Sequence, residues 1–146
     1  MMNAKMTPMI PDCYSVVARV PSVTDYIRLR AAGGLSPFTP EAAEMGLDGS
    51  IFCCVVLFQD RIVGMGRLIG DGGCFFQIVD IVVEPDHQGH GLGKAIMSAL
   101  MDHIRTALVP SAYVSLIADV PANRLYEQFG FSETAPTSVA MACKLK

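Results

Sequence analysis

The sequence predicts one α/β domain, in the broad α+β sense, built on a mixed and mostly antiparallel sheet flanked by helices. Three observations predict it. Residues 50–83 hold three apolar, β-branched runs in succession, "SIFCCVVLF", "RIVGMGRLIG" and "CFFQIVDIVV", parted only by Gln59 and Asp60 and by the turn signal "GDGG". Runs joined this tightly pair as antiparallel neighbours. Leu92, Ile96, Leu100, Ile104 and Leu108 then recur at four-residue intervals, the period of an amphipathic helix. Finally, hydrophobic residues make up 51% of the 146 and charged residues 17%, which suits a single apolar core of one-domain size.

The elements follow in order. "YSVVARV" (14–20) is a short β-branched first strand. In "PSVTDYIRLRAAGG", Ser22 or Thr24 caps a helix that Gly33 and Gly34 stop. A second short helix lies between Pro40 and Gly46, before the three strands. The long helix after residue 91 ends at Pro110, and "AYVSLIA" (112–118) is a further buried strand. "PANRLYEQFGF" opens a short helix with Pro121 near its first turn and Gly130 as its stop. "SVAMACKL" (138–145) is expected to close the sheet as a last strand. No repeat or long linker divides residues 1–146, so one domain is expected throughout.

Charge and cysteine usage narrow the setting. The formal charge of −3 leaves no basic footprint, so nucleic acid is not an expected partner. Cys13, Cys53, Cys54, Cys74 and Cys143 form no C-x-x-C pair. They are read as reduced core thiols of a cytoplasmic protein, with no metal site expected. The start, "MMNAKMTPMIPDCYS", lacks a continuous apolar stretch, so neither a secretory leader nor a membrane span is expected.

The stretch "VVEPDHQGHGLGKA" (82–95) sets Gly89, Gly91 and Gly93 at alternate positions just before the long helix. A strand that runs through such a loop into a helix converges backbone N–H groups at the positive end of the helix dipole, which suits a phosphate. Glycines let the anion approach the backbone, and Lys94 adds a charge. A tight turn alone accounts for one glycine and hardly for three. Two nucleotide motifs fail here. A Walker A loop would need Gly at Gln88 and Ser or Thr at Ala95, and G-x-G-x-x-G begun at Gly89 or Gly91 ends on Lys94 or Ile96.

What remains is Gln88-x-x-Gly91-x-Gly93 after a strand ending "VVEP", with "ANRLYEQFGF" about 30 residues later. These residues resemble the R/Q-x-x-G-x-G/A pyrophosphate signature and the late N…Y…G-F region of the GNAT N-acyltransferases, in the family's element order. "QIVDIVVEPDHQGHGLGKAIM" and "YVSLIAD" are similar to segments of small bacterial GNAT proteins and of plant arylalkylamine (serotonin-type) acetyltransferases. The resemblance implies the acyl-CoA N-acyltransferase fold and acetyl-CoA as co-substrate, without a metal. It implies backbone contacts from Ile81, Val82 and Val83 to the pantetheine arm and acetyl group. The pyrophosphate is expected on Gln88, Gly89, His90, Gly91, Leu92, Gly93 and Lys94, with Asn123 on the cofactor's arm. Gln88 stands where Arg is commoner, which shifts weight to backbone donors.

The implied chemistry is amine attack on a thioester in a ternary complex. An alkyl amine with pKa near 10 costs about 4 kcal/mol to deprotonate at pH 7, so a base or water chain must take a proton. The departing thiolate gains from a general acid. Tyr126 matches the family's acid position, and Asp119 precedes it by seven residues, the spacing of carboxylate and tyrosine in the plant-type enzymes. Asp119 is equally readable as the N-cap of the following helix, and Asp80, mid-strand in "IVDIV", is a rival base.

The acceptor is expected to be a small primary amine, an (aryl)alkylamine by the plant resemblance. Leu35, Phe38 and Asp80 are its candidate contacts, and Asp80, Glu84 and Asp119 favour a cation. Phe75 and Phe76 are either pocket walls or core. The competing readings are a peptide or protein amine as acceptor, and a non-catalytic acyl-CoA-binding sensor. A homodimer is a further expectation, and contact with a membrane is not.

Overall fold

The structure is a computed structural model and describes residues 9–146; the first eight residues of the expected leaderless start lie outside it. Strand β1 (Tyr14–Ala18) leads to helices α1 (Val23–Ala32) and α2 (Pro40–Asp48). Strands β2 (Phe52–Phe58), β3 (Arg61–Gly70) and β4 (Phe75–Val83) follow, then a 3-10 turn at Pro85–His87 and helix α3 (Leu92–Ala107). Strand β5 (Tyr113–Leu116) and helix α4 (Asn123–Glu127) complete the order. The sheet runs β1-β2-β3-β4-β5, antiparallel except for the parallel β4–β5 pair.

Local chemistry explains the boundaries. Ser22 caps α1 by accepting from Asp25 N–H, and Thr39 caps α2 by accepting from Ala42 N–H with Pro40 at the first helical position. Gln59 and Asp60 both hold positive φ, 48° and 64°, as a two-residue hairpin turn between β2 and β3 requires. The "GDGG" turn is held by Asp71, whose Oδ1 accepts from the N–H groups of Gly73, Cys74 and Phe75.

Adjacent strand residues point to opposite faces, and each face carries its own apolar cluster. Cys54, Val56 and Val63 face α3, packing with Leu92, Ile96, Met97 and Leu100. Val55, Ile62 and Met65 face α1 and α2, with Tyr26, Leu29, Ala43 and Leu47. The expected stripe of α3 is therefore a core stripe. Gly66 lets α3 sit this close: a Cβ there would lie 2.4 Å from Ile96 Cγ2.

Two expectations are corrected. Among the described residues no strand forms after α4, so "SVAMACKL" does not close the sheet. A strand needs a neighbour for its backbone groups. Here a turn at residues 135–137, closed by Ser138 N–H to Thr134 O, leads the chain instead to the α1–α2 connection, where Lys144 Nζ donates to Pro37 O at 2.8 Å. The cysteines also divide. All five are free, but only Cys53 and Cys54 are buried. Burial pushes both thiols up to about 12. A disulfide-exchange reagent at pH 8 is thus expected to label Cys13, Cys74 and Cys143 fast, and Cys53 and Cys54 only after unfolding. Peptide mass mapping of the labelled sites checks this.

Candidate active site

Strand β4 creates the site by breaking its own regularity. Met65 faces Val82 and Arg67 faces Val79, so Asp80 and Ile81 together oppose the single Gly66. This is a β-bulge, and Asp80 takes the left-handed conformation, φ 58°, that Asp tolerates better than most residues. Beyond the bulge β4 and β5 part. Their register ends at Ile78 and Leu116, although β4 continues to Val83. A cavity of about 550 Å³ fills the gap, lined by Ile78 to Ile81 on one side and by Leu116, Ile117, Asp119, Ala122 and Tyr126 on the other. Leu35, Phe38, Tyr26, Arg30 and Arg67 close its α1 end.

The cavity brings together Tyr126, Asp119, Leu35, Phe38, Asp80 and Ile81. Asp119 is not the α4 cap: Ala122 holds that position without a side-chain cap, and Asp119 contributes only its backbone oxygen to Ala122 N–H, 2.7 Å. Its carboxylate makes no hydrogen bond to the described residues and acts on Tyr126 electrostatically. Burial, and then the Asp119 charge, raise the Tyr126 phenol above its ordinary value. Such a phenol keeps its proton at neutral pH, as a general acid must.

Asp80 is not a free base. Arg30 Nη1 donates to its Oδ1, while Arg67 Nη1 at 2.7 Å and Tyr26 Oη at 2.8 Å donate to its Oδ2. Glu84 is likewise held by Arg28 and by Arg61, the latter at 2.9 Å. Two of the three carboxylates expected to favour a cationic acceptor are therefore already matched by arginines. Burial, followed by the charge and hydrogen bond of Asp80, pushes the Tyr26 phenol up to about 12. A phenol raised on folding stabilises fully below its unfolded pKa of about 10 and loses this contribution as pH rises through the folded value. The thermal midpoint is expected to be flat to about pH 10 and to fall toward pH 12, less steeply in Tyr26→Phe. Melts followed by circular dichroism measure it.

The glycine loop lies outside this cavity but next to it. Gly89 and Gly91 hold φ 85° and 77°, so their conformation alone explains two of the three glycines. Gly93 is an ordinary helical residue whose added Cβ would meet only Leu125 Cδ2, at 3.5 Å, on the helix that carries Tyr126. Gly91 caps α3 with no side-chain bond, and the N–H groups of Gly89 through Lys94 have no hydrogen-bond partner among the described residues. The first turn of α3 has no acidic residue and carries Lys94. A cation there opposes the helix dipole unless an anion is meant to lie between them.

Of the other expected cofactor contacts, Val82 and Val83 end β4, Val82 packing into the core beneath α1. Gln88 donates its side-chain amide to Val83 O at 3.1 Å and so ties the loop to the strand. His90 stands 5.7 Å from the Tyr14 ring, and Asn123 opens α4. His87 accepts or donates at Tyr14 Oη, 2.8 Å, and His103 stacks on Phe52 at 4.2 Å. Among the described residues no group of three potential metal ligands occurs. Phe76 is core and Phe75 is exposed, and neither lines the cavity.

Arg30, Arg67, Tyr26 and Lys144 were not among the expected site residues. The signal lay in charges set on apolar faces: Arg30 shares the buried face of α1 with Tyr26 and Leu29, and Arg67 interrupts the apolar run of β3.

The parallel strands β4 and β5 thus part beside a glycine-rich helix start that has no side-chain cap. The family described as acetyltransferase (GNAT) domain matches residues 49–133, more than half of the chain. This chain belongs to that family. It is 48% identical to a Staphylococcus aureus protein of unknown function described as a probable acetyltransferase, over 90% of this chain and 99% of that one, with a TM-score of 0.86. It is also 37% identical over 71 residues to an uncharacterized N-acetyltransferase, ycf52, of Porphyra purpurea. Over 72 residues it is 36% identical to a chloroplastic serotonin N-acetyltransferase 2 of Oryza sativa subsp. japonica. The matched segments cover about half of this chain, but only 40% and 35% of those two relatives.

Proposed function

We propose that this chain, as one domain over residues 1–146, transfers the acetyl group of acetyl-CoA to a small primary amine by direct attack. The observation that carries this reading is the cavity between the diverging ends of β4 and β5, where Asp119 and Tyr126 meet. Gly89 to Lys94 would hold the pyrophosphate through backbone donors. The unpaired side of Ile81 to Val83 would meet the pantetheine arm, and Asn123 would add a contact. Bound there, acetyl-CoA supplies the activated acyl group. Asp119 takes the amine's proton, directly or through water, and Tyr126 Oη gives one to the departing sulfur. No cysteine lines the cavity, so an acyl-enzyme is not part of the reading.

The resemblance to serotonin-type enzymes supports an (aryl)alkylamine acceptor. A cytoplasmic setting suits five free thiols; among the described residues no helix is long and apolar enough to cross a membrane. A homodimer is proposed as well, because β5 ends the sheet with one edge unpaired. Release of coenzyme A thiol from acetyl-CoA across a panel of amines tests the transfer. Turnover with none of them, together with tight acetyl-CoA binding, would favour the sensor reading.

A further inference from the structure

The cavity is electrically two-ended. At its β5–α4 end stands Asp119, whose carboxylate has no hydrogen-bond partner among the described residues. At its α1–β3 end, Arg30 and Arg67 share the single carboxylate of Asp80. A third cation joins them. Lys144 Nζ lies 4.7 Å from the centre of the Phe38 ring, and the Arg30 guanidinium carbon lies 4.4 Å from the same centre. Arg30 and Arg67 thus share one carboxylate, and Arg30 and Lys144 meet at the ring of Phe38, which lines the cavity although Lys144 itself does not.

Their donors are not exhausted. Arg30 gives Nε and Nη2 to Ser36 and one Nη1 hydrogen to Asp80, which leaves one Nη1 hydrogen. Lys144 gives one hydrogen to Pro37 O and keeps two. Arg30 is only 8% exposed, and an unbalanced positive charge so far from water is costly unless an anion answers it.

We infer that the acceptor is a primary amine that also carries an anionic group, its amine at Asp119 and its acid group at Arg30 and Lys144 beside Phe38. This rests on the acetyl-transfer reading of the same cavity. The two ends lie on opposite sides of the cavity, the β5–α4 side and the α1–β3 side, so an acid group several bonds from the amine fits better than an α-amino acid. Carboxylate and phosphate share the required chemistry.

The test uses the full chain loaded with desulfo-coenzyme A, which cannot transfer an acyl group, and titrates matched amines by calorimetry. The pairs are butylamine with 4-aminobutyrate, and ethanolamine with O-phosphoethanolamine, so that the two arms separate carboxylate from phosphate. In at least one pair the acid-bearing member is expected to bind about tenfold tighter or more, the scale of one charge-assisted hydrogen bond. Lys144→Gln, at an exposed position, should cut that preference several-fold while the neutral amine and the coenzyme analogue bind as before. An equal or weaker response to both acid-bearing members, or a preference that Lys144→Gln leaves untouched, overturns the inference. Absence of any heat with desulfo-coenzyme A itself would instead remove the acetyl-transfer reading, and this inference with it.

Discussion

Gly93→Asp is expected to abolish acetyl-CoA binding while the protein stays folded. The fold has room for the change. Gly93 has ordinary helical geometry, and an added Cβ reaches only an ordinary contact with Leu125. Leaving glycine recovers about 0.5–1 kcal/mol of helix propensity, less for Asp than for Ala. An acid in the first turn of α3 gains about 0.3–1 kcal/mol from the dipole. The proposed pyrophosphate would feel the opposite. At about 4 Å and an effective dielectric of about 20, one like-charge contact costs about 4 kcal/mol, more than a hundredfold in affinity. Calorimetry with acetyl-CoA and a thermal melt give both readouts, and Gly93→Ala separates bulk from charge. Gly91 is the poorer probe, because at φ 77° any branched side chain strains the backbone before a ligand is involved. Unchanged affinity in Gly93→Asp would move the phosphates away from α3.

The second large effect concerns Tyr126. Its hydroxyl makes no hydrogen bond to the described residues, while its ring packs on the core beneath α3. Tyr126→Phe therefore keeps the packing and leaves no buried partner unsatisfied, so the melting temperature should change little. Turnover on the best amine is expected to fall by about 10²–10⁴-fold, with acetyl-CoA affinity nearly unchanged. Asp119→Asn offers a check by sign. Burial first and the Asp119 charge second raise the Tyr126 phenol, so removing that charge lowers it, and the alkaline limb of the kcat/KM profile should move to lower pH. Full turnover in Tyr126→Phe would make the residue a packing aromatic and leave thiolate protonation to water.

Much of the fold was legible because its signals are local. Ser22 and Thr39 bond to residues three positions on, Gln59 and Asp60 turn within themselves, and the α3 stripe repeats every turn. Asp119 and Tyr126 were expected together because "YVSLIAD" and "ANRLYEQFGF" resemble family segments that carry a carboxylate and a tyrosine seven residues apart, and both line the cavity. Asp80 and Glu84 were misjudged for the opposite reason. Their arginine partners lie 13 to 56 positions away, and no local pattern says which charges a fold will bring together. The bulge at Asp80 was hidden for the same reason, since register is a property of two strands. "SVAMACKL" alternates as a strand does, yet alternation describes a face and not a partner.

The two faces of the sheet give this molecule a division of labour that matters for how it diverges. The proposed pyrophosphate grip lies at the start of α3, above its own cluster, whereas Leu35 and Phe38 of the proposed acceptor wall belong to the connection between α1 and α2, with Lys144 reaching it from the tail. Substitutions that are well separated and share no partners combine nearly additively. On the proposed reading, new acceptors are therefore expected to be reachable through residues 35–38 and Lys144 by single steps that leave the pyrophosphate grip untouched. A lineage, or a directed library, can change what is acetylated without relearning how to hold the acetyl donor.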